Sequence, residues 1–171
     1  ALTGDSSSTS GVRGIVIAGA TITTSGNISA YGRSYGDSSF GNHGVQIAVG
    51  ATIATTGSGT IAITGFGGID GGEGAGVQIS DASTKITSVN GNIDINGTGG
   101  DGALDNHGIH LTGSGLVKST GIGNIILTGN GGYASDGVQI ASAAQVETNS
   151  GTLRITGSNG FVDGEATIDI N

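Results

Sequence analysis

The chain has 171 residues, 37 of them glycine, and contains no proline, cysteine or methionine. Glycine is about 7% of an ordinary domain, so its share here is roughly three times the usual, yet there is no Gly-X-Y period and collagen is excluded. Five Lys and Arg against 13 Asp and Glu leave a net charge of −8. That balance argues against nucleic acid or an anionic membrane surface as partner, and the missing cysteines exclude disulfides, thiolate metal sites and a cysteine nucleophile.

In chain order, Ala1 to Ser10 is small and polar and reads as a flexible N-terminal segment, residues 1–10. The chain opens on Ala1 instead of methionine, so cleavage of a leader or excision of a fragment is expected, with an extracellular or cell-surface location. No apolar stretch is long enough to span a bilayer, and membrane insertion is not expected.

From residue 11 a unit recurs. Gly14-Ile15-Val16-Ile17, Gly44-Val45-Gln46-Ile47, Gly76-Val77-Gln78-Ile79, Gly108-Ile109-His110-Leu111 and Gly137-Val138-Gln139-Ile140 form one series. Self-similarity at 20–50 residues marks a stacked repeat architecture. Each unit carries two further short apolar pieces. One centres on a single aliphatic: Ile22, Ile53, Ile86, Val117 or Val146. The other carries Ile28, Ile61/Ile63, Ile93/Ile95, Ile125/Leu127 and Leu153/Ile155. Thr60-Ile61-Ala62-Ile63-Thr64 and Asn92-Ile93-Asp94-Ile95-Asn96 alternate with a period of two, which is a strand with one buried face. Glycines are expected at the corners between pieces. The predicted fold is an all-β, single-stranded parallel β-helix over residues 11–171. It has about five turns of roughly 30 residues and three short strands per turn.

Superimposed turns put like residues about 4.8 Å apart along the axis. Gln46, Gln78, His110 and Gln139 then share one outward column, and Asn27, Thr60, Asn92, Asn124 and Thr152 another. Both read as structural ladders of the cross-β kind.

The repeat texture resembles the right-handed parallel β-helix shafts of secreted bacterial surface proteins. These are the filamentous-haemagglutinin-type adhesins and related extracellular fibres. The resemblance spans residues 11–171 and rests on texture, not on a diagnostic motif. It implies an exported, non-enzymatic shaft or adhesive module, and right-handedness comes with it.

Chemistry is expected on the variable loops at 31–43, 65–75, 97–107, 129–136 and 157–163, where all six aromatics fall. Loops held by a rigid scaffold are where binding residues concentrate. A glycan-binding edge of Tyr35, Phe66, Asp70, Asp105, Tyr133 and Phe161 is therefore one reading. The other is that these rings and the aliphatics Ile69, Leu104 and Val162 pack over their own loops. Glycine–aspartate runs such as Gly67-Gly68-Ile69-Asp70-Gly71-Gly72 leave a structural calcium open, although the nine-residue period of calcium-binding β-rolls is missing. His43 and His107 share an Asn-His-Gly context without an evident third ligand, so no metal site is expected. No catalytic residue is nominated, because the flat faces are Thr, Asn, Ser, Ala and Gln.

Neither end carries a recognisable cap. The expected function is therefore a structural subunit that stacks head to tail into an extracellular filament, through Val12, Ile15 and Ile17 at one end and Thr167, Ile168 and Ile170 at the other. The alternative is a segment of a surface adhesin shaft with glycan-binding loops along one edge.

Overall fold

The computed structural model describes residues 1–5, 12–36, 41–69, 72–102, 104–161 and 168–170. All their regular structure is strand, arranged as three parallel sheets. Sheet A holds β1 (Leu2–Asp5), β4 (Ile28–Arg33), β7 (Ile61–Phe66), β10 (Ile93–Thr98), β13 (Ile125–Tyr133) and β16 (Leu153–Phe161). Sheet B holds β2 (Ile15–Ala18), β5 (Val45–Ala48), β8 (Val77–Ile79), β11 (Ile109–Leu111), β14 (Val138–Ile140) and β17 (Ile168–Ile170). Sheet C holds β3 (Thr21–Thr24), β6 (Thr52–Thr55), β9 (Lys85–Ser88), β12 (Leu116–Ser119) and β15 (Gln145–Thr148). The chain visits A, B and C in turn, so each strand pairs with the one three places on. This is the β-solenoid that the period implies.

The registers align the aliphatics as expected. Ile61, Ile93, Ile125 and Leu153 lie in one column, and Ile53, Ile86, Val117 and Val146 in another. Ile53, Ile86, Ile93, Ile95, Val117 and Ile125 are completely buried. Burying such a side chain contributes about 1.5–3 kcal/mol. β-branched residues suit the column because a pleated surface accommodates them with little loss of rotamer freedom.

Three features depart from the sequence reading. Part of the supposedly flexible segment is a strand: Leu2–Asp5 pairs with Ala30–Arg33 as the edge of sheet A. Leu2-Thr3-Gly4 is the same tripeptide as Leu127-Thr128-Gly129, so it belongs to the repeat. Strands β13 and β16 run on to Tyr133 and Phe161, into what read as loops, because their backbones keep pairing beyond Gly129 and Gly157. Finally, many glycines sit inside strands. Gly4, Gly32, Gly65, Gly97 and Gly129 of sheet A each face a carbonyl of the repeat glycines Gly14, Gly44, Gly76, Gly108 and Gly137. A Cβ on Gly97 would overlap the Gly108 oxygen and stand 2.6 Å from its carbonyl carbon. Sheets A and B therefore meet backbone to backbone along a seam that admits no side chain, the close approach for which strand glycine is suited.

Candidate functional site

Polar side chains at the corners are largely spent on holding turns together. The Asn column is a ladder: Asn27 Oδ1 accepts from Thr60 N–H at 2.9 Å, Asn92 from Asn124 at 3.0 Å, and Asn124 from Thr152 at 2.8 Å. The glutamine column is only partly one. Gln46 Nε2 donates to Gln78 Oε1 at 2.7 Å, but Gln139 Nε2 turns back to Asp136 at 3.4 Å.

The loops between sheets A and B have a buried polar interior. His43 Nδ1 accepts the Ala75 N–H at 3.2 Å, and His107 Nδ1 accepts the Asp136 N–H at 3.1 Å. An accepting Nδ1 carries no proton, so these histidines serve as turn-to-turn struts, two turns apart. Burial, followed by the charge of Arg13 and then His110, lowers the His43 pKa from 6.5 to about 3. Burial and then His107 lower that of His110 to about 4, against the raising pull of Asp105 and Glu73. The residue three before Gly44, Gly76, Gly108 and Gly137 is left-handed in each case: Gly41, Glu73, Asp105 and Ala134 have φ between 48° and 81°. For the three with a Cβ this costs about 1–2 kcal/mol each, so the stacked turn holds it in place. Among the described residues no group of three His, Asp or Glu forms a metal cluster.

On the outer face of sheet A two columns flank the seam. One runs Thr3, Tyr31, Thr64, Asn96, Thr128, Thr156 and the other Asp5, Arg33, Phe66, Thr98, Asn130, Ser158. Between them lies a trench of about 200 Å³. Beside it, across the ridge made by Phe66 and Thr98, is a second hollow of about 220 Å³, lined in part by Arg33, Tyr35, Ile69 and Asp101. The Arg33 guanidinium lies 5.0 Å from the Tyr35 ring centre and 5.5 Å from that of Phe66. Tyr31 meets Phe66 at 5.7 Å, a diagonal pair on neighbouring strands.

Of the six nominated edge residues, Tyr35 and Phe66 come together, and they do so around Arg33, which sequence reasoning passed over. Its one signal was the alternation Tyr31-Gly32-Arg33-Ser34-Tyr35, in which the two tyrosines and the cation take every second position, although β4 itself ends at Arg33. Tyr133 is exposed on a later turn and lines neither hollow. Asp105 is also exposed, with its carboxylate 3.8 Å from His107 Nε2, too far for a hydrogen bond. Phe161 ends β16, and Asp70 lies outside the described residues. Ile69 and Leu104 are 54% and 64% exposed, so neither anchors a loop cluster. Of the nominated end residues, Val12 and Ile15 are half-buried, Ile17 is buried, Ile168 and Ile170 bound β17, and Thr167 lies outside the described residues.

The chain matches no family model, no curated protein and no solved structure.

Proposed function

We propose that this solenoid is a non-enzymatic structural rod that grows along its axis by head-to-tail pairing of strand edges, as a subunit of an extracellular filament. One observation carries the reading. At each end of the described solenoid the aliphatic columns are half-open beneath strand edges without a further neighbour: Ile15 and Ile22 at one end, Val146 and Ile155 at the other. Unpaired parallel edges over an open apolar column invite β-augmentation. The edges also match in type. Strand β17 closes sheet B where β2 opens it, and β16 closes sheet A where β1 opens it. Stacking β17 on β2 of another copy brings Ile168 over Ile15, Asp169 over Val16 and Ile170 over Ile17 in continued register. Among the described residues sheet C has five strands against six in A and B, so a joint between these strands leaves one rung of that sheet open.

The same edges also suit continuation into further turns of one longer shaft, as in the adhesin shafts that the repeat texture resembles. The two readings separate in negative-stain microscopy of the purified chain. Filaments one solenoid wide, absent from an Ile15→Lys, Ile22→Lys variant that keeps its β circular dichroism, support self-stacking. Single short particles for the native chain at high concentration favour the longer shaft.

A further inference from the structure

From the paired hollows on sheet A we infer a binding site for a neutral glycan. One pyranose ring sits in the hollow around Arg33, and the adjoining rings run over the Phe66 ridge into the trench.

A pyranose ring has an apolar face of C–H bonds and a polar rim of hydroxyls. The hollow supplies both halves of that pattern. Phe66 and Tyr35 give aromatic surface, and Ile69, 54% exposed, adds an aliphatic wall. Around them stand a fixed donor, the Arg33 guanidinium, an acceptor, the Asp101 carboxylate, and the Thr98 hydroxyl, which does both. Stacking over two rings limits the rotamers of Arg33 and so orients its N–H groups in advance. Apolar walls with a few convergent polar groups are the general make-up of a small-ligand site.

Size and repeat fix the class further. At about 220 and 200 Å³ each hollow is smaller than a drug-sized pocket of about 300–1,000 Å³ and suits a single ring. They share Phe66 and Thr98, so they form two subsites on one path. Along the trench, Thr64, Asn96, Thr128 and Thr156 offer uncharged donors and acceptors repeating about every 4.8 Å along the axis, which fits a ligand extended parallel to the rod.

Charge argues for a neutral sugar over an acidic one. Among the described residues Arg33 is the one cation lining either hollow, Asp101 shares its hollow, and Asp5 is its register partner on β1. The chain as a whole carries −8. A uronate or sulfated sugar would meet this field unfavourably.

The site lies on the side of the rod and is independent of end-to-end stacking, so each idea can fail alone. The test is an array of neutral and acidic oligosaccharides probed with the native chain and with Phe66→Ala, Asp101→Asn and Tyr133→Ala, each shown to keep native circular dichroism. Neutral oligosaccharides should be retained, with retention at least tenfold weaker for Phe66→Ala and Asp101→Asn and unchanged for Tyr133→Ala. Retention of acidic glycans alone, equal retention by the native chain and Phe66→Ala, or no retention at all overturns the inference.

Discussion

Replacing Gly97 with alanine adds one methyl group where sheets A and B touch. The new Cβ would overlap the Gly108 oxygen, lie 2.6 Å from its carbonyl carbon and 3.0 Å from Ile109 Cγ1. Two effects oppose each other. Alanine restricts the unfolded chain, which favours folding by about 0.4–1 kcal/mol where the site tolerates it. Overpacking a rigid interior costs about 1–3 kcal/mol and sometimes more. The clash is with backbone, which cannot rotate aside, and the turns on either side repeat the contact at Gly65 and Gly129. Overpacking should win, with a net loss of about 2 kcal/mol or more. Gly57→Ala is the matched control. Its Cβ would find its nearest atom, Ser25 O, at 3.8 Å, so stability should hold or rise by up to about 1 kcal/mol. Urea unfolding followed by far-ultraviolet circular dichroism reads both. Equal midpoints for the two variants would refute the backbone seam.

Ile93→Ala empties part of a completely buried column and should cost about 2–5 kcal/mol, measured the same way; a loss under 1 kcal/mol would mean the column is not close-packed. Stability should also fall with acid. His43 and His110 are held to about 3 and about 4, chiefly by burial, against 6.5 when unfolded, so the unfolded chain takes up their protons first. Their contribution is complete above about pH 6.5 and is lost as pH falls through 4 and then 3. The slope is up to about 1.4 kcal/mol per pH unit for either histidine while it is neutral folded and charged unfolded, over a narrower pH range for His110 than for His43. His43→Asn keeps an acceptor without the titration and should flatten urea midpoints between pH 6.5 and 4; an unchanged slope would remove His43 from the account.

The fold was legible because burial enforces it at every turn. An inward Ile at one rung demands its equivalent at the next, so Ile53, Ile86 and Val117 announce their column in the sequence. The seam was not legible. A strand glycine such as Gly97 and a corner glycine such as Gly57 look alike until two sheets are brought together. The β1 strand was missed because Leu2-Thr3-Gly4 stands without the repeat glycine's own tetrapeptide before it, although its tripeptide recurs at Leu127. At the ligand edge the sequence marked the rings but not their partners. Arg33 joins Tyr35 and Phe66 through a register between β4 and β7, a relation between residues 33 positions apart. Tyr133 carried the same chemical signal, yet its turn places it outside both hollows.

Axial growth is tested most directly by a single cross-link. The chain has no cysteine, so Val16→Cys and Asp169→Cys introduce its only thiols. Within one molecule these positions lie five rungs of sheet B apart, about 24 Å at 4.8 Å per rung, far beyond disulfide reach. Across a head-to-tail joint they become neighbours at about 4.8 Å, inside the disulfide range. Mild oxidation should give a ladder of covalent oligomers that reducing agent collapses, while a Val16→Cys, Ala54→Cys control gives none. Monomer alone from the first variant at high concentration would contradict the head-to-tail joint.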